Sequence, residues 1–343
     1  MFESITIKGY KSIKNQQVAL DRINLLIGGN GAGKTNFLSA FDFARIAYNG
    51  DTADYVEDCG GANRLLYMGR KHTARIHLHF ELDDKASRDV SGVDMIFRES
   101  SDRLHMSLSG DFMKSREFSS QNAERVLGKV FSSLRVYHFA DTGRTSPIFH
   151  SAEVYDNRFL RTDASNLASI LYHISIHHPG RFVRIEETIR QIAPFFAGFR
   201  LNPLRGNRDL IRLEWKQDGL YDTYMDAQDL SDGTLRMICL VTLLMQPDVP
   251  AVVLIDEPEL GLHPAALSLF CSLVKRASRN SQIILSTQSI DIINQFSADD
   301  VIVCDNAGRE TRYHRLSEAA LKNWLDDYTL GELWEKNVFG GNP

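Results

Sequence analysis

Gly28-Gly29-Asn30-Gly31-Ala32-Gly33-Lys34-Thr35 decides how the rest of the chain is read. It follows a short apolar run, Ile23 to Ile27, and leads into Asn36-Phe37-Leu38-Ser39-Ala40-Phe41, whose apolar residues recur at helical spacing. Glycines at a strand-to-helix turn let the backbone close around an anion, so that several N–H groups and the positive end of the helix converge on one phosphate. Within the pattern GxxxxGK(S/T), Lys34 adds a charge at the β- and γ-phosphates and Thr35 offers a hydroxyl to Mg²⁺. Asn30, Gly31, Gly33 and Asn36 complete the expected nucleotide contacts. A glycine-rich turn that only joins strand to helix leaves the agreement of strand, loop, Lys-Thr pair and amphipathic helix without a cause. Upstream, Ser4 to Gly9 alternates as a strand, with Ile5 and Ile7 facing one way.

A second run carries acids. After Pro250, Ala251-Val252-Val253-Leu254-Ile255 is unbroken and apolar, as in a strand buried on both faces, and it delivers Asp256-Glu257-Pro258-Glu259 at its carboxyl end. Ligands of parallel α/β sheets bind at that end. Asp256 is placed to hold Mg²⁺ through water, and Glu257 to take a proton from an attacking water. Pro258 stops the strand and fixes the turn. The structural alternative is a pair of acids that merely ends a strand. A further strand, Gln282-Ile283-Ile284-Leu285, ends in Ser286-Thr287-Gln288-Ser289.

Between the two runs, Leu230-Ser231-Asp232-Gly233-Thr234-Leu235-Arg236 opens an apolar helical stretch, Met237 to Met245. Alone, Ser-Asp-Gly is equally an ordinary turn or helix N-cap. Placed ahead of the Asp-Glu strand, the segment resembles the signature of ABC-type ATPases, usually LSGGQ, with Asp232 and Thr234 as substitutions. The resemblance implies that Ser231 and the Gly233 N–H meet a phosphate of ATP held by a second subunit. Glu259-Leu260-Gly261-Leu262-His263-Pro264 resembles the D-loop of the same family, which makes His263 a contact at the dimer interface rather than a base. Related ATPases carry a histidine as γ-phosphate sensor where Gln288 stands here. Glutamine donates hydrogen bonds to phosphate or water but carries no charge, so slow turnover is expected.

Lys34 and Ser231 lie 197 positions apart, farther than in ABC transport subunits, and the extra chain reads as an insertion. The opening Ile7-Lys8-Gly9-Tyr10-Lys11-Ser12-Ile13 is similar to a first-strand pattern of the SMC, RecF and OLD relatives, in which the basic residue, Lys11 here, lies near the nucleotide. A lysine at the exposed end of a strand is the equal alternative. The fold class implied is α/β, an ABC-type P-loop ATPase head with a mixed parallel sheet, an antiparallel β lobe and an inserted helical arm. Its expected parts are a first ATPase lobe over 1–144, the mainly helical arm over 145–228, and a second lobe over 229–343 with signature, acid strand, D-loop and switch. Thr73 to Leu82 and Val93 to Ser109 read as strands of the antiparallel lobe, the latter folded back at the polar turn Glu99 to Asp102. Ser165 to Ile176 and Arg181 to Phe196 have helical spacing but no sustained heptads, so no long coiled coil is expected. Leu134 to Phe139 reads as another strand, and the loop after it, Ala140 to Pro147, takes the place of the family's glutamine loop, with Asp141 a candidate Mg²⁺ or water contact.

Composition sets outer bounds. Hydrophobic residues at 43% and charged residues at 24% of 343 are ordinary for a soluble globular protein and exclude a disordered or fibrous chain. A net charge of −5 argues against a surface that binds nucleic acid everywhere, while leaving room for one basic groove. Arg158, Arg161, Arg181, Arg184, Arg190, Arg200, Arg205, Arg208 and Arg212 bias one segment to positive charge; a solvated face is favoured over a DNA, RNA or partner surface. Cys59, Cys239, Cys271 and Cys304 lie far apart, without a zinc or disulfide pattern. His77 and His79 alternate on a strand and His177-His178 adjoin Pro179, but neither pair has a third ligand at metal spacing, so both read as packing or surface histidines. The sequence shows no signal peptide and no apolar run of membrane-spanning length, so a cytoplasmic protein without a membrane partner is expected.

After the strand Thr311 to Leu316 and one helix, the segment Leu330 to Pro343 leaves no room for the Toprim nuclease domain of OLD-type proteins. It resembles the ending of stand-alone bacterial ATPases that act with a separately encoded effector, a nuclease for instance. ATP and Mg²⁺ are the implied ligands. A homodimer or higher homo-oligomer through the nucleotide interface is the implied assembly. Three functions fit: an ATP-gated sensor controlling an effector in genome or anti-phage defence, a RecF-like repair ATPase, and a transport ATPase, the last disfavoured by the long insertion.

Overall fold

Ile23–Ile27, Val252–Asp256 and Gln282–Thr287 are buried at every position in the computed structural model, the pattern of parallel strands covered on both faces. The structure describes residues 1–83, 90–112, 127–128, 130–220 and 223–341; Asn342 and Pro343, the end of the C-terminal segment, lie outside it. The chain forms two compact units, one of residues 1–136, 250–256 and 278–343, the other of residues 137–249 and 257–277.

In the first unit the strands run in the order Glu310–Arg315, Val301–Ala307, Ile23–Ile27, Gln282–Thr287, Val252–Asp256, with the short strand Val136–Tyr137 as the sixth, where the unit ends. Ile23–Ile27 is parallel to both of its neighbours, and Gln282–Thr287 is parallel to Val252–Asp256. The register sets Asp256 beside Ser286 and Ile27 beside Thr287, so the chain segments that follow these strands emerge at one edge. The helix Lys34–Tyr48 buries Phe37, Leu38, Phe41 and Ala44.

A second, antiparallel sheet in this unit has the order Ile13–Ala19, Phe2–Tyr10, Arg75–Leu82, Val90–Ser100, Arg103–Phe112. Ser101 and Asp102 both have positive φ, 55° and 62°, the backbone of a two-residue hairpin turn whose twist matches that of the strands. Phe2, Phe41 and Phe80 meet with ring centroids 5.0 to 5.9 Å apart, tying this sheet to the helix. Each such pair adds about 0.5–1.5 kcal/mol beyond the area it buries. At the C-terminal end two helices, Glu318–Leu325 and Leu330–Glu335, replace the single helix expected, because Thr329 and Glu332 form a reciprocal cap that starts a new one.

The second unit holds the helices Leu167–His177, Pro179–Arg190, Asp232–Met245 and Pro264–Ala277. The segment 145–228 falls within it and is not only helical. Phe196–Arg200, Glu214–Gln217 and Met225–Asp226 pair into a small antiparallel sheet around the buried Trp215. The second arm helix therefore ends at Arg190 rather than Phe196, since Phe196 begins a strand. The strand expected over Leu134 to Phe139 shrinks to Val136–Tyr137: the Leu134 N–H turns back to the carbonyl of Phe131, and the Phe139 carbonyl accepts from Arg236. The longest described helix has 15 residues, consistent with the absence of a coiled-coil arm among the described residues.

Four arginines of the basic segment are held within their own unit. Arg161 pairs with Asp156 at 2.6 Å, Arg190 with Glu186 at 3.4 Å, and Arg200 with Glu214 at 3.6 Å, while Arg181 donates to the last carbonyls of the helix Asp232–Met245. These contacts account for part of the basic bias without a nucleic acid. Burial pushes the thiols of Cys239 and Cys304 well up and that of Cys271 to about 12, so these three are inert at neutral pH. Among the described residues no helix is long and apolar enough to cross a membrane.

Candidate functional site

Gly33 stands at the start of the helix Lys34–Tyr48 with φ 109°, and a Cβ there would lie 2.5 Å from the side chain of Thr311, so no other residue fits. The loop is braced from several sides. The Gly29 N–H donates to the carbonyl of Gly341 at 2.7 Å, and the Tyr313 hydroxyl donates to the Gly33 carbonyl at 2.9 Å while its ring packs on Phe37. Lys34 is only 5% exposed; its ammonium donates to the carbonyls of Gly28 at 2.6 Å and Gly29 at 3.1 Å, which hold it across its own loop.

Oxygen donors gather beside the loop. Thr35 Oγ1 donates to Asp256 Oδ2 at 3.1 Å, and the other oxygen of Asp256 accepts from Ser286 Oγ on the neighbouring parallel strand. A carboxylate and a hydroxyl at the carboxyl ends of adjacent parallel strands, with a second hydroxyl from the first turn of the helix Lys34–Tyr48, are hard ligands of the kind Mg²⁺ takes, usually with several waters retained. Gln288 Nε2 donates to Asn30 Oδ1 at 2.9 Å, linking the end of the strand Gln282–Thr287 to the glycine loop. Asn36 is turned to Ser12 at 2.8 Å, and Ser12 in turn meets Thr311. Lys11, with φ 47°, donates to Ser39 Oγ at 3.0 Å, one turn further along the helix, and burial lowers its pKa. The first unit thus groups Lys11, Asn30, Gly31, Gly33, Lys34, Thr35, Asn36, Asp256 and Gln288; Ser231, Gly233, Glu257 and Asp141 belong to the second.

Glu257 follows Asp256 with φ 48°, a left-handed backbone uncommon for a residue with a side chain. Such a conformation costs on the order of 1–3 kcal/mol and persists only where the surroundings enforce it. Asp141 is exposed, and its carboxylate accepts from the Gly143 N–H at 3.1 Å, closing its own turn. Ser231 is the N-cap of the helix Asp232–Met245, its oxygen accepting from the Thr234 N–H. Ser231 and Asp232 are exposed, whereas Met237 to Met245 are all buried. A Cβ on Gly233 would lie 2.3 Å from the carbonyl of Gly261, so this glycine lets the D-loop segment approach the helix start.

Arg236 was only the last letter of a motif in the sequence. In the structure it donates to Leu260 O at 2.8 Å, Phe139 O at 2.9 Å, Ala140 O at 2.8 Å and Thr142 Oγ1 at 3.2 Å. One guanidinium therefore joins the signature helix, the D-loop segment and the 139–142 loop. No local pattern marks that role, because three of its four acceptors are backbone carbonyls and all four are distant in sequence. Arg236→Ala should lower the unfolding free energy by about 1.5–3 kcal/mol, the range for hydrogen bonds to a charged group. Urea denaturation of the variant checks this; a midpoint unchanged from wild type means the contacts contribute nothing.

The sequence model of the family described as "AAA domain, putative AbiEii toxin, Type IV TA system" matches residues 23–294, from the strand before the glycine loop to beyond Gln288. The chain belongs to this AAA family. The AAA chain is also similar in fold to the Smc head bound to the C-winged helix domain of ScpA (TM-score 0.65, 17% identity, covering 94% of this chain and 99% of that one). A second likeness is to the Smc head domain with an extended coiled coil bound to the C-terminal domain of ScpA, derived from Pyrococcus furiosus (TM-score 0.64, 16% identity, covering 95% and 98%). At this identity the likenesses show the fold alone, that of an Smc head domain. Over 69 residues the AAA chain is 39% identical to the ABC transporter A family member 11 of Dictyostelium discoideum, and over 62 residues 37% identical to member 10. Those segments are 20% and 18% of this chain and span only 8% and 7% of the transporters.

Proposed function

We propose that this chain binds and hydrolyses ATP as a dimerisation switch that controls a separately encoded effector, a nuclease for instance, in bacterial genome or anti-phage defence. The observation that carries the proposal is the cluster of Thr35, Asp256 and Ser286 beside the Lys34 loop, a phosphate cradle and a hard-oxygen cation site built on adjacent strand ends. Lys34 and the loop N–H groups would hold the β- and γ-phosphates. Thr35 and Asp256 would hold Mg²⁺, which when bound neutralises charge on the phosphate oxygens. Glu257 would take the proton of the attacking water as the bond from the γ-phosphorus to its bridging oxygen breaks, giving ADP and phosphate. Gln288 would orient the water or γ-phosphate by a hydrogen bond without a charge, in keeping with slow turnover.

In this proposal Ser231 and Gly233 of one copy close on the ATP of another, so that each site is complete only in a homodimer or higher homo-oligomer. The exposed start, Ser231 and Asp232, of a helix that is buried from Met237 to Met245 supports that role, since the N-terminal end of a helix dipole favours an anion. The family's description as a toxin of a Type IV TA system supports defence over repair or transport, and Smc heads bound to ScpA offer a precedent for a partner docked on such a head. A cytoplasmic location, where ATP is available, is part of the same proposal. Ser231→Arg tests the composite site: a bulky cation at the turn should block closure and cut ATPase turnover by about 10²-fold or more, the scale of losing a preorganised transition-state donor, with ATP affinity unchanged. Wild-type turnover in that variant would remove the role of the signature turn.

A further inference from the structure

His77 and His79 occupy alternate positions of the strand Arg75–Leu82, so their side chains share one face of the antiparallel sheet, while Ile76, Leu78 and Phe80 are buried on the other. On the adjacent strand Val90–Ser100, Asp94 is the cross-strand partner of His79. A single oxygen, Asp94 Oδ1, lies 2.5 Å from His77 Nε2 and 3.0 Å from His79 Nδ1. One donor atom from each residue can be chosen so that all three fall within 4.8 Å of one another. The sequence offered two histidines and no third ligand; strand pairing supplies it. Gly92 leaves room at this point, since a Cβ there would come within 3.1 Å of His79 Cε1.

We propose that His77, His79 and Asp94 form a binding site for a zinc-class divalent cation on the outer face of this sheet. Two imidazole nitrogens and one carboxylate are the ligands such borderline cations prefer, and three protein donors leave a position for water. Donor atoms on a tetrahedral zinc stand about 3.3 Å apart, given bonds of about 2.0–2.1 Å, so small side-chain rotations convert the hydrogen-bonded cluster into a coordinated one. The three side chains are 20–26% exposed, open enough for a cation to enter and buried enough to fix their rotamers. Among the described residues, Lys8 pairs across from His77 and is exposed, Arg75 stands two positions before His77 on the same face with Arg98 across from it, Lys14 and His72 line the hollow beside His77, and Thr6 faces His79 while Ser109 faces Asp94.

The test is calorimetric titration of the full chain, stripped of metal by a chelator and free of nucleotide, with zinc chloride, and the same titration with cobalt chloride read by absorption. We expect one zinc per chain, a tetrahedral cobalt spectrum and no sulfur-to-cobalt charge-transfer band, because no cysteine is among the ligands. His79→Ala and Asp94→Asn should each weaken zinc by at least about 10–100-fold, the cost known for losing even an indirect partner of a metal site. Both positions face away from the core, and circular dichroism confirms that the variants fold. Asp256→Asn removes the carboxylate of the cation site beside the phosphate loop and should leave the zinc titration unchanged. The proposal is overturned if wild type takes up no stoichiometric zinc, if the double variant His77→Ala/His79→Ala retains wild-type affinity, or if Asp256→Asn abolishes the uptake.

Discussion

Lys34→Ala is expected to weaken ATP by about 30-fold at the least and by several thousandfold at the most, the range for truncating one partner of a buried, hydrogen-bonded charge pair. The ammonium already lies within the loop, between the carbonyls of Gly28 and Gly29, and has only to exchange these acceptors for phosphate oxygens. Its removal leaves the loop braced by Tyr313 and by the Gly29 to Gly341 hydrogen bond, so the fold should survive. Isothermal titration with ATP and Mg²⁺ gives the affinity directly. A folded variant that binds as wild type would show that the glycine loop is not the phosphate site.

Glu257→Gln should slow hydrolysis by about 10²–10⁴-fold, the usual cost of losing a general base, while ATP binding stays as it is. The amide keeps the volume and a hydrogen-bonding group but cannot accept the water's proton. The strained φ of 48° is a backbone matter and is unaffected by the substitution, so the variant tests chemistry and not folding. Single-turnover phosphate release with radiolabelled ATP measures the effect. Release within a few-fold of wild type would assign the base to another residue.

The parts legible in sequence were those fixed by local chemistry. The glycine loop, its helix and the Asp256-Glu257 strand end follow from residue types at set spacings, and burial of Ile23–Ile27 and Val252–Asp256 follows from their unbroken apolar character. The parts that stayed hidden depend on which strands become neighbours. Ser286 reaches Asp256 only because Gln282–Thr287 lies parallel to Val252–Asp256 in that register. Asp94 reaches His77 and His79 for the same reason, in an antiparallel pair. The small sheet of the second unit escaped because its strands are short and Phe196-Ala197-Gly198-Phe199 does not alternate. Tyr313 and Gly341, which brace the glycine loop from the far end of the chain, carry no motif at all.

The composite ATP site is tested most directly by the molar mass of Glu257→Gln in solution, measured by light scattering with and without Mg²⁺ and ATP. With hydrolysis blocked, bound nucleotide adds its phosphate contacts to the interface and draws the equilibrium to the closed pair by mass action. The expected result is a doubling of mass with ATP, or a compaction if the protein already associates through another surface, and its loss when Ser231→Arg is added. A mass and shape indifferent to ATP in a Glu257→Gln protein that demonstrably binds it would contradict the shared site and leave a P-loop enzyme complete within one subunit.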